Sequence, residues 1–246
     1  MSTALTTTTQ AKILAARYRA QLMGDPLTVL LLVAQAPFIG WLCTLVWGSV
    51  ERDTPSLYFV MSLSAVWFGC IAACREIVRE RAILERERFF GLSISAYVLS
   101  KAGVLAGLGL TQVVLMQLAV EWTLALKGPY LIQTMALWGA SLCGVGLGLL
   151  VSALARRQEQ AVGAVPLLII PQILFSEFAV PKGTFTNLVS AVEKAMPVHW
   201  SYRIFTELAA NETAWAWVAA SIGALLAMTA TLAILTIGAL IPRREV

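Results

Sequence analysis

Long apolar runs separated by short charged stretches set the outline of this chain. A helix needs about 20 apolar residues to cross a bilayer core. Six stretches reach or approach that length: residues 27–49, 55–74, 102–126, 130–155, 161–180 and 214–241. Glu121 interrupts the third near one end, and Pro166, Pro171 and Glu177 make the fifth the weakest. Asp25-Pro26 and Thr54-Pro55 each place a capping side chain before a proline at the first helical position, which marks a helix start. The pattern predicts an all-α integral membrane protein with six transmembrane helices in one domain over residues 1–246.

Three further stretches follow other patterns. In residues 10–24, Leu14, Tyr18 and Leu22 form an i,i+4 stripe with Lys12 and Arg19 away from it. This predicts a helix lying in the membrane interface. Residues 75–91 read REIVRERAILERERFFG, a charged helix-favouring run closed by Gly91 in the manner of a C-cap. Arg81 with Glu85 and Glu85 with Arg88 stand at helical pair spacing, so the run is expected to be laced by its own ion pairs. The side chains of residues 85–88 are expected to face the cytosol. A plain connection could be about four residues long, so this one reads as a docking helix for a cytoplasmic partner. Residues 181–213 are too polar to span yet carry Phe185, Met196, Trp200, Tyr202 and Phe205. They predict an extracellular, re-entrant helical segment ordered against the bundle.

Composition agrees. Hydrophobic residues make up 59% of the 246 and charged ones 13%, with a mean hydropathy of +0.77, where a soluble domain has roughly 45–50% and about 25%. Soluble, disordered and disulfide-stapled classes are excluded. The net charge of +4 is a matter of topology: thirteen of the 18 Lys and Arg fall on one side of the spans and five on the other. The positive-inside rule makes the richer side cytoplasmic, with both termini on it. The expected location is the plasma membrane, multi-pass, of the bacterial inner-membrane kind, with lipids as partners and no nucleic acid.

Catalytic chemistry is missing. There is no phosphate-binding glycine loop, no nucleophile elbow and no zinc-binding helix motif. His199 is the single histidine, and Cys43, Cys70, Cys74 and Cys143 lie in apolar runs, so no metal site is expected. Gly103 with Gly107 and Gly144 with Gly148 are small-residue pairs that permit close helix approach. Phe59, Trp67 and Phe68 of the second span and Leu168, Ile173 and Phe175 of the fifth suit the lining of a hydrophobic substrate route. A membrane scaffold that recruits a cytoplasmic partner fits the same features. An ion-coupled carrier fits them less well, because the spans lack carboxylates at mid-depth.

Three motifs follow in order: residues 80–88, ERAILERER, followed by 91–101, GLSISAYVLSK; residues 171–176, PQILFS, with Val180-Pro181; and residues 196–202, MPVHWSY. Together they resemble the ABC-2-type permeases, nearest to their G-subfamily (White-like) branch. Glu177 departs from the glycine usual after Phe-Ser. The resemblance implies the permease subunit of an ATP-driven exporter of hydrophobic or amphipathic molecules such as lipids, glycolipids, drugs or polysaccharides. It implies coupling to an ABC ATPase through Arg79, Glu80, Arg81, Glu85, Arg86, Glu87 and Arg88. An outer gate would include Glu177, Pro197, His199 and Trp200. A second permease chain, identical or not, is the other implied partner. ATP and Mg would be held by the ATPase, and this chain would bind no cofactor of its own.

Overall fold

The structure, a computed structural model, describes residues 6–49, 55–176 and 187–241. These residues form ten α-helices with no strand among them: α1 Thr7–Met23, α2 Pro26–Trp47, α3 Pro55–Ala73, α4 Arg81–Phe89, α5 Ile94–Glu121, α6 Tyr130–Leu154, α7 Gln158–Leu174, α8 Asn187–Lys194, α9 Pro197–Ala209 and α10 Trp215–Leu240.

Five stretches, α2, α3 with its continuation through α4, α5, α6 and α10, are long and apolar enough to cross a membrane. The fifth expected span is shorter than the sequence suggested. α7 has 17 residues and holds Pro166 and Pro171, so it reaches about 25 Å at 1.5 Å per residue, less than a bilayer core of about 30 Å. Residues 177–180, the expected end of that span, lie outside the described residues, as does Thr54 at the second expected proline start.

The core is built on α3 and α6, the most extensive helix pair. Glycines let their backbones touch. A Cβ on Gly144 would stand 2.2 Å from the Val66 carbonyl oxygen, one on Gly148 2.6 Å from that of Cys70, and one on Gly69 2.0 Å from that of Ser141. Gly103 and Gly107, the other small-residue pair, face open space, so within this chain they bring no helix close. α2 and α10 lie on the perimeter with Leu30, Trp41, Trp217 and Ile234 exposed. Such faces are stable only where lipid or another apolar surface covers them.

Polar side chains close gaps inside the bundle. Gln117 donates to Gln133 Oε1 at 3.0 Å and to Glu121 Oε1 at 3.2 Å, Thr134 donates to Gln117 Oε1 at 2.7 Å, and Gln133 donates to the Lys127 carbonyl at 3.0 Å. The network ties the α5–α6 connection to both helices, and Glu121 is absorbed in it at the end of α5. All four cysteines are free and buried.

Two local readings from sequence hold. Asp25 accepts from the Thr28 N–H at 3.2 Å, capping α2, and the Thr28 bonds hold its carboxyl below the usual range. α4 ends as expected at Gly91, whose φ of +88° suits glycine. The Leu92 N–H returns to the Glu87 carbonyl and the Gly91 N–H to that of Arg88, the paired bonds of a Schellman cap.

α1 is helical as expected, but its stripe serves a different surface. Leu14 and Tyr18 are buried and pack with α5 residues such as Tyr97 and Leu105. The stripe therefore meets protein rather than lipid, because α5 begins at Ile94, about two turns before the expected span, and offers an apolar wall there.

Candidate coupling site and pathway

The run of residues 75–91 is an elbow rather than one helix. α3 stops at Ala73, a turn follows, Val78–Glu80 forms a 3₁₀ turn, and α4 begins at Arg81. Buried turns need partners for their backbone N–H groups. Ser152 of α6 supplies one, its Oγ accepting from the Ile77 N–H at 2.9 Å and the Val78 N–H at 3.0 Å.

Beneath the elbow lies a buried ionic cluster. Lys101 Nζ, 2% exposed, stands 2.7 Å from Glu80 Oε2 and 3.3 Å from Glu76 Oε2, and both carboxylates are themselves buried. Tyr97 donates to Glu80 at 3.3 Å, Arg79 meets Glu76 at 3.1 Å, and the ammonium sits 4.0 Å from the centre of the Tyr18 ring. Burial, reinforced by the negative Glu76, pushes the Tyr18 phenol above its ordinary range. Desolvating three charges is expensive unless each is paired and hydrogen-bonded. This cluster meets that condition by joining α1, the elbow and α5.

The expected ladder of ion pairs along α4 is not what forms. Arg81 donates instead to the Ala153 carbonyl at the end of α6, and Arg88 to the Leu240 carbonyl at the end of α10, at 3.1 Å. The reason lies in the helix ends: their last carbonyls lack intrahelical donors and carry the negative end of the dipole. Those sites hold an arginine better than an exposed glutamate one turn away. Glu87 turns to α1, where Arg17 clasps it through both guanidinium nitrogens, the longer contact being 3.2 Å. That bond raises the Arg17 pKa.

Four of the seven proposed coupling residues, Glu80, Arg81, Glu87 and Arg88, thus fasten the elbow to the rest of the chain. This corrects the expectation that residues 85–88 all face outward. Arg79, Glu85 and Arg86 are exposed. Beside them stand Phe89 at 94% and Phe90 at 87% exposure, bare aromatic rings at the tip of α4. Phe90 also borders a cleft of about 300 Å³ shared with Ile13, Leu14 and Leu92.

At the other end of the bundle, α9 packs on α3 and α8 packs on α9. Tyr58 stacks on Phe205 with centroids 5.2 Å apart, Phe59 meets Tyr202 edge-on at 6.2 Å, and Ser201 donates to Ser62 at 3.1 Å. Pro197 starts α9 and is buried. Trp200 donates to the Lys194 carbonyl at 2.8 Å, so α9 pins the end of α8. α9 packs against α3, α6 and α10, while residues 210–212 are exposed; residues 181–186 and the proposed gate residue Glu177 lie outside the described residues.

The expected pathway residues divide. Phe59 of α3, Phe175 after α7 and His199 of α9 line one small cavity with Gln172 and Glu193. Phe68 is fully enclosed in the core, where it holds helices together and lines none of the cavities described. Trp67 and Leu168 pack at the core's edge. Ile173, 37% exposed, points outward from the chain.

The sequence model of the ABC-2 type transporter matches residues 9–210, from α1 through α9. The chain belongs to the ABC-2 type transporter family. A relative, the ABC transporter ATP-binding/permease protein Rv1747 of Mycobacterium tuberculosis, is 26% identical over 142 residues, covering 54% of this chain and 16% of the relative. The chain thus spans about a sixth of that protein's length. As an ABC-2 membrane domain, it is the transmembrane permease component of an ABC transporter and not the catalytic one.

Within this ABC-2 permease, reading the sequence missed Lys101, Glu76, Gln172 and Glu193. By sequence Lys101 reads as a loop charge, because its run of apolar neighbours begins just after it. The available signal was Tyr97 and Lys101 at i,i+4, a spacing that puts both on the face meeting α1.

Proposed function

We propose that this ABC-2 permease is the membrane subunit of an ATP-driven exporter of hydrophobic or amphipathic molecules, of the G-subfamily kind, with six spans, both termini in the cytoplasm and a place in the plasma membrane. A cytoplasmic ABC ATPase, holding ATP and Mg, would dock on the outward face of α4, namely Arg79, Glu85, Arg86, Phe89 and Phe90. Two permease chains would pair so that their α3–α7 sides enclose the route, with Phe59 and Phe175 along it and His199 at its outer end.

The observation that carries this reading is the elbow's double character. Its outward face is charged and aromatic, with no intramolecular partner for Glu85 or Arg86 among the described residues. Its inward face is bonded to α1, α5, α6 and α10 through Glu87, Lys101, Arg81 and Arg88. A push on α4 cannot be absorbed by a loose loop. It must be passed to helices on both sides of the α3–α6 core, which is what rigid-body switching of a permease requires.

The test is a photo-crosslinking residue placed at Arg86 in the full chain, illuminated in native membranes. We expect one dominant conjugate with a polypeptide carrying a nucleotide-binding ATPase sequence. Conjugates confined to proteins without one would favour the scaffold reading.

A further inference from the structure

An apolar groove and a polar cleft meet at one lysine, where α8 turns into α9. The groove, about 440 Å³, runs along Ala224, Ala227, Met228 and Leu232, one face of α10 at helical spacing, and reaches Leu147 of α6. Ala227 and Met228 are the middle residues of α10. At about 30 Å³ for a water-sized group, the groove has room for roughly a dozen methylenes. Its polar groups are spent but for one. The Trp200 N–H donates to the Lys194 carbonyl at 2.8 Å, and the Thr231 hydroxyl to the Ala227 carbonyl at 2.8 Å. The Lys194 ammonium has no hydrogen-bond or ion-pair partner among the described residues.

Lys194 also lines the cleft, about 280 Å³ between α8 and α9. Two of the charges there are engaged: Glu193 by His199 at 3.0 Å, and Arg203, whose guanidinium lies 4.0 Å over the Trp217 ring. Glu207 is left, and it pairs neither with Lys194 nor with Arg203 one turn before it. A cation and a carboxylate thus line one cleft without meeting. In a membrane an apolar groove along a perimeter helix is filled by acyl chain, since water in it would be costly. The head of that chain then falls where the groove becomes the cleft, beside the ammonium. The chemistry runs in a fixed order, apolar wall, then cation, then carboxylate. Diacylglycerol offers Lys194 no charge, and phosphatidylglycerol offers Glu207 none. A zwitterionic phospholipid, with acyl chain, phosphate and amine in sequence, answers all three.

We propose that this groove and cleft hold one zwitterionic phospholipid of the bilayer, with an acyl chain along α10, its phosphate on Lys194 and its amine toward Glu207. Such a lipid joins the α8–α9 turn to α10. The site is on the α10 side of the bundle, apart from the α3–α7 side taken as the transport route. It therefore stands or falls independently of the exporter reading.

The test uses the full chain in dodecyl maltoside micelles, whose sugar head group is uncharged. The probes are phosphatidylcholine, phosphatidylglycerol and diacylglycerol, each with a photoactivatable diazirine in one acyl chain. Crosslinks are mapped to peptides and their saturation gives an apparent Kd. Phosphatidylcholine should saturate crosslinks at residues 224–232 about ten-fold more tightly than diacylglycerol, the worth of one charge-assisted contact. It should exceed phosphatidylglycerol by about three-fold, the worth of a more exposed pair. Lys194→Ala should bring phosphatidylcholine to the diacylglycerol level, and Glu207→Gln should remove the preference over phosphatidylglycerol. Ala227→Trp, which fills the groove from an exposed position, should abolish the crosslinks there.

Lys194→Arg, which keeps the charge, should bind phosphatidylcholine as the wild type does, so that a loss in Lys194→Ala alone is a loss of charge and not of fold. Equal saturation by all three lipids in the wild type, the result expected of a face merely coated with lipid, would overturn the proposal. So would tight binding that survives Lys194→Ala, or a loss that Lys194→Arg shares. Phosphatidylglycerol binding as tightly as phosphatidylcholine would overturn the zwitterionic assignment and with it the part given to Glu207.

Discussion

Lys101 shows how much a single side chain can decide in this fold. It is one cation between two buried carboxylates, with a tyrosine face below it. Removing one partner of a buried pair typically costs about 3–5 kcal/mol, because the remaining charge is stranded. Lys101→Met should therefore lower stability by about that amount, measured by denaturant unfolding in detergent. The triple variant Lys101→Met, Glu76→Gln, Glu80→Gln should recover most of the loss, since no bare charge remains. Equal losses in the single and triple variants would mean that packing around the methylenes, not charge, matters there. Little of this was legible in the sequence, where a lysine before an apolar run reads as a loop residue and only its i,i+4 spacing from Tyr97 points inward. The buried carboxylates Glu76 and Glu80 alternate with the exposed Arg75 and Arg79, and only the tertiary packing of α1 and α5 separates the two kinds.

At the scale of elements, close backbone approach is unequally distributed among similar glycine pairs. Gly144 and Gly148 seat α6 against α3, while Gly103 and Gly107 look into open space. Gly144→Ala would drive a methyl group into the Val66 carbonyl and should destabilise the chain by about 1–3 kcal/mol, the range for overpacked sites. Gly103→Ala should be neutral or stabilising by up to about 1 kcal/mol from helix propensity. Thermal melts of the two variants side by side in one detergent check this, and a reversed order would contradict the packing described. Spacing could nominate both pairs but could not choose between them, because the choice depends on which face meets a neighbour. The long spans were legible from hydropathy alone. The exception is α7, where two prolines and a 17-residue length leave the span short. The inward bonds of α4 were not legible either. Arg81 and Arg88 each donate to a helix end 72 and 152 residues away, contacts that no local spacing can reveal.

For the whole molecule, the asymmetry of basic residues predicts the orientation that the exporter reading needs. Cysteines introduced at Glu85 and at Lys194, in a background without the four native ones, should separate cleanly. An impermeant thiol reagent added to intact cells should label position 194 and leave 85 unlabelled. The opposite result would invert the topology and place the elbow outside any ATPase's reach.

The central claim is that α4 faces two ways, outward to an ATPase and inward to the bundle, and one comparison of two charge reversals tests it most directly. Reversing Glu85 and Arg86 together should leave the melting temperature unchanged, since exposed ion pairs contribute about 0–1 kcal/mol, yet abolish co-purification of the ATPase and its ATP hydrolysis in reconstituted vesicles. Reversing Glu87 and Arg88 together should lower the melting temperature, because the contacts to Arg17 and to the Leu240 carbonyl are lost. If both variants instead melt like the wild type and keep full ATPase association, α4 is neither fastened nor docked, and the coupling account fails.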